Sequence, residues 1–323
     1  MPLIKSSYQA PFLFKNGHLN TVYKTLFYKH TINYHRKRID TPDDDFLDLD
    51  FSTVGSETMV IAMHGLEGSS QSSYLISVIN YLNSKNMDCV AVNFRGCSGE
   101  DNNQLYSYHS GKTDDLETVI NYLLENYNYK NIVLLGYSMG GNITLKYMGE
   151  TAAINSKIKG AIAVSVPCDL RGSSYALASW SNSIYMNKFL KTLKEKTLFK
   201  IHKFPKNTID IYKAQNANSF EDFDNAVTAP LFGYKNAEDY WETCSSKQFI
   251  PAIDKPTLLI NALDDSFLSK SCFPISEAEN NSNFNLELPT YGGHVGFNTS
   301  FFGKDILWSE NRILSFINHI IYE

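Results

Sequence analysis

One five-residue turn constrains this chain more than any other feature: Gly136-Tyr137-Ser138-Met139-Gly140. Asn131-Ile-Val-Leu-Leu135 before it is short, apolar and β-branched, as a buried strand requires. Asn142-Ile-Thr-Leu-Lys-Tyr-Met148 after it carries helical periodicity. A serine on so sharp a strand-to-helix turn is a nucleophile elbow, whose strained backbone lifts the hydroxyl above the sheet. A side chain two positions before or after the serine would strike the neighbouring strand and helix, hence the glycines. The pattern alone turns up by chance in about one such chain in ten. Its strand and helix flanks give it weight.

The rest of the chain supplies a setting for that turn. Residues 1–30 are aromatic-rich and read as an irregular segment wrapping the domain. Strands are expected near Ile32–Asp40 and Phe46–Ser52, with Thr41-Pro-Asp-Asp-Asp45 between them, and at Thr58–Met63, Asp88–Phe94, Ile158–Val166, Thr257–Asn261 and Phe284–Leu288. Helices are expected at about Ser72–Lys85, from an N-cap at Asp114 to Tyr127 with Glu117 completing a capping box, at Ser269–Glu279 and at Ile306–Ile321. Such alternation implies one α/β domain, a mostly parallel sheet covered by helices on both faces. The rhythm breaks from about Arg171 to Asp254, where no buried strand is legible. This stretch reads as a helical cap, 171–254, inserted into a single domain, 1–323, and its aromatics as cap core more than substrate wall.

A serine hydroxyl needs a base within hydrogen-bond reach, and the base needs an acceptor that fixes its tautomer. On a sheet of this kind the chain order is serine, acid, histidine. Of eight histidines only His294 and His319 follow the acid candidates, and His319 lies inside the closing amphipathic helix. His294 sits in the glycine-rich loop Tyr291-Gly-Gly-His-Val-Gly296, just past the last expected strand, and is the expected base. Asp264 and Asp265 both follow the strand at Thr257–Asn261, and adjacent side chains cannot both face one imidazole. The usual distance from the strand end favours Asp265 and leaves Asp264 as a turn-former or loop anchor. Asp169 is a weaker rival. The negative charge that builds on an ester carbonyl needs two N–H donors. Met139 N–H and Leu66 N–H are the expected pair, with His64 shaping the loop that carries Leu66.

Five further segments lie beside this constellation: His64-Gly-Leu-Glu-Gly-Ser-Ser70, Asn93-Phe-Arg-Gly-Cys-Ser-Gly-Glu100, Tyr108-His-Ser-Gly-Lys-Thr-Asp-Asp-Leu116, Tyr291-Gly-Gly-His-Val-Gly-Phe297 and Asn16-Gly-His-Leu-Asn-Thr21. Together with the elbow, they make the chain resemble the YheT-like branch of the α/β hydrolases over nearly its whole length. The resemblance implies an α/β-hydrolase fold and a serine hydrolase with a Ser138–Asp265–His294 triad. It implies carboxylic ester substrates, short- to medium-chain or lipid-like, and no cofactor or metal. Some relatives pass the acyl group to an alcohol, so acyl transfer is the alternative, and a non-catalytic binding role is the third reading. The family commonly has Gln where this chain has Asn20, and often Pro where it has Ser266. The second change touches turn rigidity without disturbing the acid. His109 and Asp114 match the H-x4-D spacing of some acyltransferases, but capping by Asp114 and packing by His109 account for both. Arg95 is expected to anchor its loop through backbone carbonyls.

Composition excludes more than it assigns. A net charge of −5 with no dense basic run argues against nucleic acid as partner, and Lys191, Lys194, Lys196, Lys200 and Lys203 read as a solvated helix face. Five cysteines without CxxC spacing fit reduced thiols in a cytoplasmic protein, not a disulfide framework or zinc site. Neither a signal-peptide core nor a run long enough to span a bilayer is present, which leaves only peripheral membrane contact through an exposed apolar lid. Neither HExxH spacing nor a P-loop lysine occurs, so metal and nucleotide chemistry are disfavoured. The small-molecule ester is the expected partner; oligomeric state is not legible.

Overall fold

In the computed structural model, residues 2–27, 30–301 and 307–322 are described. The first elements are β1 (Leu3–Ile4), α1 (Gly17–Phe27), β2 (His35–Asp40), β3 (Phe46–Ser52), β4 (Thr58–Met63), α2 (Ser73–Ser84), β5 (Asp88–Asn93) and α3 (Thr113–Asn126). The elbow follows with β6 (Asn131–Tyr137) and α4 (Met139–Glu150), then β7 (Ile158–Val164), α5 (Leu170–Leu177) and α6 (Ser183–Lys203). After further short helices come β8 (Thr257–Ile260), β9 (Phe284–Glu287) and a closing helix, Trp308–Tyr322. Ile306, where that helix was expected to start, lies outside the described residues.

The strands form one sheet in the order β1-β9-β8-β7-β6-β4-β5-β3-β2. Among the described residues, the pairings of β3 with β2 and with β5 are antiparallel; β4 through β9, and β1 on β9, run parallel. All six β4 residues are buried, because helices cover both faces of a parallel sheet. Met59, Ile61 and Met63 face a cluster with α3 and α4, whereas Val60 and Ala62 face α2 and the closing helix. The chain therefore has the α/β-hydrolase architecture. Between β7 and β8 the described elements are all helical. They carry two clusters of their own, around Met186, Leu190 and Phe223 and around Tyr240 and Trp241.

Several expectations are corrected. The N-terminal stretch is not irregular: Gly17–Phe27 is an α-helix, and β1 pairs with β9. Leu19, Val22, Tyr23, Leu26 and Phe27 recur at helical spacing, and tertiary contacts hold the helix in place: Tyr23 packs edge-on against Phe14, 4.9 Å away, and buried Lys24 meets buried Glu310 at 3.0 Å. Asp114 does not cap α3, which begins one residue earlier; its carboxylate pairs with Lys112 at 2.7 Å. The expected helix Ser269–Glu279 is split into a 3-10 turn, Lys270–Cys272, and a short helix from Ile275, because Pro274 supplies no N–H to continue it. The lysines of α6 are not all solvated. Lys196 reaches Glu67 at 3.0 Å, and buried Lys200 binds Asp101 and the carbonyls of Asn102 and Gln104, each at 2.7 Å.

Arg95, at the end of β5, anchors carboxylates rather than carbonyls. Its guanidinium binds Asp43 at 2.6 Å, Asp45 at 3.1 Å and Asp115 at 2.6 Å, and so ties the β2–β3 turn to α3. Removing a buried cation that faces three carboxylates leaves uncompensated charge. Arg95→Leu is expected to lower unfolding free energy by about 3–5 kcal/mol, read from urea denaturation.

Candidate active site

The carboxyl ends of the parallel strands deliver every residue of the site. Ser138 joins β6 to α4 at φ 53° and ψ −119°, a region L-residues avoid. Its N–H donates to the Val164 carbonyl of β7 (2.8 Å), and its own carbonyl accepts from Asn142 N–H (3.0 Å), so strand and helix both grip the strained unit. A Cβ on Gly136 would sit 2.4 Å from the Gly140 carbonyl and Thr144 Oγ1; one on Gly140 would sit 2.6 Å from the His64 carbonyl. The two glycines let α4 start directly against β6 and the end of β4.

The loop after β4 passes under the serine. Gly65 approaches so closely that a Cβ there would lie 3.1 Å from Ser138 Cβ. Its N–H donates to the Tyr74 hydroxyl (2.9 Å), and Glu67 N–H donates to the Tyr108 hydroxyl (3.0 Å). Between them, Leu66 N–H makes no hydrogen bond among the described residues, nor does Met139 N–H at the first turn of α4. Leu66, Met139 and Ser138 line one cavity. His64 is buried and fully committed: Nδ1 donates to the Gly65 carbonyl (2.7 Å), and Nε2 accepts Phe94 N–H (3.2 Å). Burial pushes its pKa down to about 4, so it is neutral at pH 7.

His294 Nε2 stands 3.0 Å from Ser138 Oγ, and its Nδ1 2.8 Å from Asp265 Oδ2. Asp265 Oδ1 accepts Phe267 N–H (3.0 Å), which orients the buried carboxylate. The Phe267 ring stacks on the imidazole, centroids 4.3 Å apart. Asp264 points elsewhere: its Oδ1 accepts Gly293 N–H (2.8 Å), and its Oδ2 is buried without a partner. Burial, with the charge of Asp265 adding to it, raises Asp264 to about 6. Asp169 caps α5 by accepting Gly172 N–H (3.1 Å) and takes no part. His109 accepts Gly111 N–H (3.1 Å) and packs on Phe232, with burial pushing its pKa down to about 3.

The cavity runs from Ser138 between the sheet edge and the helices that follow β7. Its walls are largely apolar, with Leu105, Leu177, Phe189, Phe223 and Val227 among them. Lys196 and Asp224 also line it. The Asp224 carboxylate is taken by Thr228 Oγ1 at 2.6 Å and Trp241 Nε1 at 2.8 Å. The arrangement can transfer a proton from a nucleophilic serine while an apolar group occupies the cavity. Among the described residues no group of three or more His, Cys, Asp or Glu could hold a metal ion, and no helix is long and apolar enough to cross a membrane. Sequence reasoning missed Thr21, Tyr74 and Tyr108 as supports of the site. The Asn16–Thr21 cluster held a signal for the first.

A family model described as alpha/beta hydrolase fold matches residues 58–286. Escherichia coli YheT, an esterase by assignment, is 31% identical over 307 residues, spanning 93% of this chain and 89% of its own. Human phospholipase ABHD3 is 28% identical over 303 residues, 91% of this chain and 74% of its own. Among solved structures, a Pyrococcus furiosus esterase superposes with a TM-score of 0.60, covering 90% of this chain and 92% of that one at 19% identity, a likeness of fold.

Two outcomes follow from this geometry. Gly140→Ala forces a methyl against the His64 and Met63 carbonyls and is expected to destabilise the fold by about 1–3 kcal/mol, or to displace Ser138 measurably. Asp264→Asn keeps an acceptor for Gly293 while removing a carboxylate whose folded pKa is raised. Such a group holds its proton more tightly in the folded state, so its ionisation costs stability as pH rises from about 4 to about 6. The melting temperature of Asp264→Asn relative to the native protein is therefore expected to climb across that window and level off above it.

Proposed function

The chain belongs to the alpha/beta hydrolase family, in its YheT-like branch, and from that premise we propose that this hydrolase is a serine carboxylesterase working through an acyl-enzyme on Ser138. The observation that carries the reading is the unbroken chain from Ser138 Oγ through His294 to Asp265, at 3.0 and 2.8 Å, on a nucleophile held at positive φ.

In the first half-reaction, Ser138 Oγ attacks the ester carbonyl and His294 Nε2 takes its proton. Asp265 keeps the Nδ1–H tautomer and stabilises the imidazolium. Charge on the carbonyl oxygen is met by Leu66 N–H and Met139 N–H, which the fold leaves unused beside the serine. The tetrahedral intermediate collapses, His294 protonates the departing alcohol, and the acyl group stays on Ser138. Water then attacks the acyl carbonyl as His294 Nε2 takes one of its protons, and His294 returns that proton to Ser138 Oγ as the bond to the serine breaks and the acid leaves. Apolar cavity walls support an acyl chain, short to medium or lipid-like, as the group bound nearest the serine. The likeness to a phospholipase points the same way. The helical segment 171–254 serves as the cap that encloses this chain.

A fluorophosphonate probe is expected to label the native protein and not Ser138→Ala. Hydrolysis of p-nitrophenyl esters by Ser138→Ala is expected to fall by about 10⁴-fold or more. Folded native protein that neither labels nor cleaves esters of any chain length defeats the reading.

A further inference from the structure

The segment Asn16–Thr21, which opens α1, takes no part in the chemistry above, yet its contacts converge on the histidine loop. Residues 292–298 form no regular structure, and Gly293, Val295 and Phe297 all have positive φ, 56°, 63° and 48°. Valine rarely adopts that conformation, and it persists only where surroundings over-determine it. Here they do. Three consecutive backbone N–H groups are each taken by a side chain from a different part of the fold. Gly293 N–H goes to Asp264 (2.8 Å), His294 N–H to Thr21 Oγ1 (2.8 Å) and Val295 N–H to Ser165 Oγ (2.9 Å).

Of the three, Thr21 holds the histidine itself. Its hydroxyl proton goes to the Gly17 carbonyl one helical turn back (2.7 Å), which leaves the oxygen lone pairs for His294 N–H. One residue earlier, Asn20 Oδ1 accepts Asn298 N–H (3.1 Å) and Asn298 Nδ2 (2.7 Å), closing the loop's far end onto the same helix. The backbones meet without side chains between them. A Cβ on Gly293 would lie 2.3 Å from the Gly17 carbonyl, and one on Gly296 2.4 Å from the Asn20 carbonyl.

We propose that Thr21 is a positioning residue for the general base, fixing the His294 backbone so that its imidazole reaches Ser138 and Asp265 together. The proposal rests on His294 being that base. Thr21 does not line the cavity, so its loss should slow proton transfer without loosening substrate. A misplacement of about 1 Å in a reacting group can cost about 100-fold in rate.

Steady-state hydrolysis of a p-nitrophenyl ester by native protein, T21V, T21A and T21S tests this. T21V, which keeps the shape and loses the hydroxyl, is expected to lower kcat about 10- to 100-fold with KM within about two-fold. T21S is expected to stay within about three-fold of native kcat. A T21V kcat near native, a T21S loss equal to that of T21V, or a loss confined to KM overturns the proposal. Where T21V does not fold by circular dichroism, T21A carries the same comparison. Failure of both to fold beside a fully active T21S assigns Thr21 to stability and overturns it too. Native protein that cleaves no ester and takes no label at Ser138 counts instead against the esterase reading. The test of Thr21 then passes to the downfield proton resonance of the Asp265–His294 hydrogen bond. T21V is expected to shift or lose it and T21S to keep it, and an unmoved resonance in T21V overturns the proposal.

Discussion

The whole site hangs on one close approach, the first turn of α4 against the carboxyl end of β4. Gly140 lies where a methyl would strike the carbonyls of Met63 and His64, and Gly136 where one would strike α4. That proximity holds Ser138 at φ 53° and brings the loop 64–68 beneath it, so the serine and the neighbouring backbone N–H groups share one packing contact. The strain is sustained from outside the turn. Val164 takes the serine N–H, and Asn142 ties the second turn of α4 to the Ser110 and Cys244 carbonyls at 2.8 Å. Buried His64 then couples the same loop to the end of β5 through Phe94 N–H.

What could be read from the chain beforehand follows from where the information is local. Buried strands such as β4, β6 and β7 announce themselves because both faces of a parallel sheet demand unbroken apolar runs. The elbow is legible for the same reason: its strand, serine, glycines and helix are contiguous. α1 was passed over although Leu19, Val22, Tyr23, Leu26 and Phe27 recur at helical spacing; the partners that hold it, Phe14, Phe301 and Glu310, lie outside the helix and mostly far along the chain. The role of Arg95 was misjudged because its carboxylates come from the β2–β3 turn and α3, which no spacing rule links. Thr21 fell outside view likewise, its contact with His294 spanning 273 positions.

Polar groups at the site divide by whether the fold gives them a partner. His64 and Asp224 are buried with their side-chain polar atoms engaged, and desolvation holds the imidazoles of His64 and half-buried His109 neutral. Asp264 is the exception, with one oxygen on Gly293 and the other unpartnered. A half-buried carboxylate with one inaccessible, unpartnered oxygen is costly. It stands where the loops carrying Asp265 and His294 meet, at a cost in stability that the Asp265–His294 contact does not itself require.

The same logic binds the helices after β7 to the chemistry beneath them. Glu67 follows Leu66 at φ 55°, and its carboxylate takes both the Tyr108 hydroxyl and Lys196 of α6. The residue that turns the loop is thus also the residue that holds the long helix above it. Lys200, one helical turn on, grips the carbonyls of Asn102 and Gln104. These are half-buried and buried cations, less screened than the exposed pairs of the surface. α6 is therefore registered to the loop carrying Leu66 by charge rather than by apolar packing alone. The position of that helix over the cavity and the conformation of the loop beside Leu66 share one set of contacts.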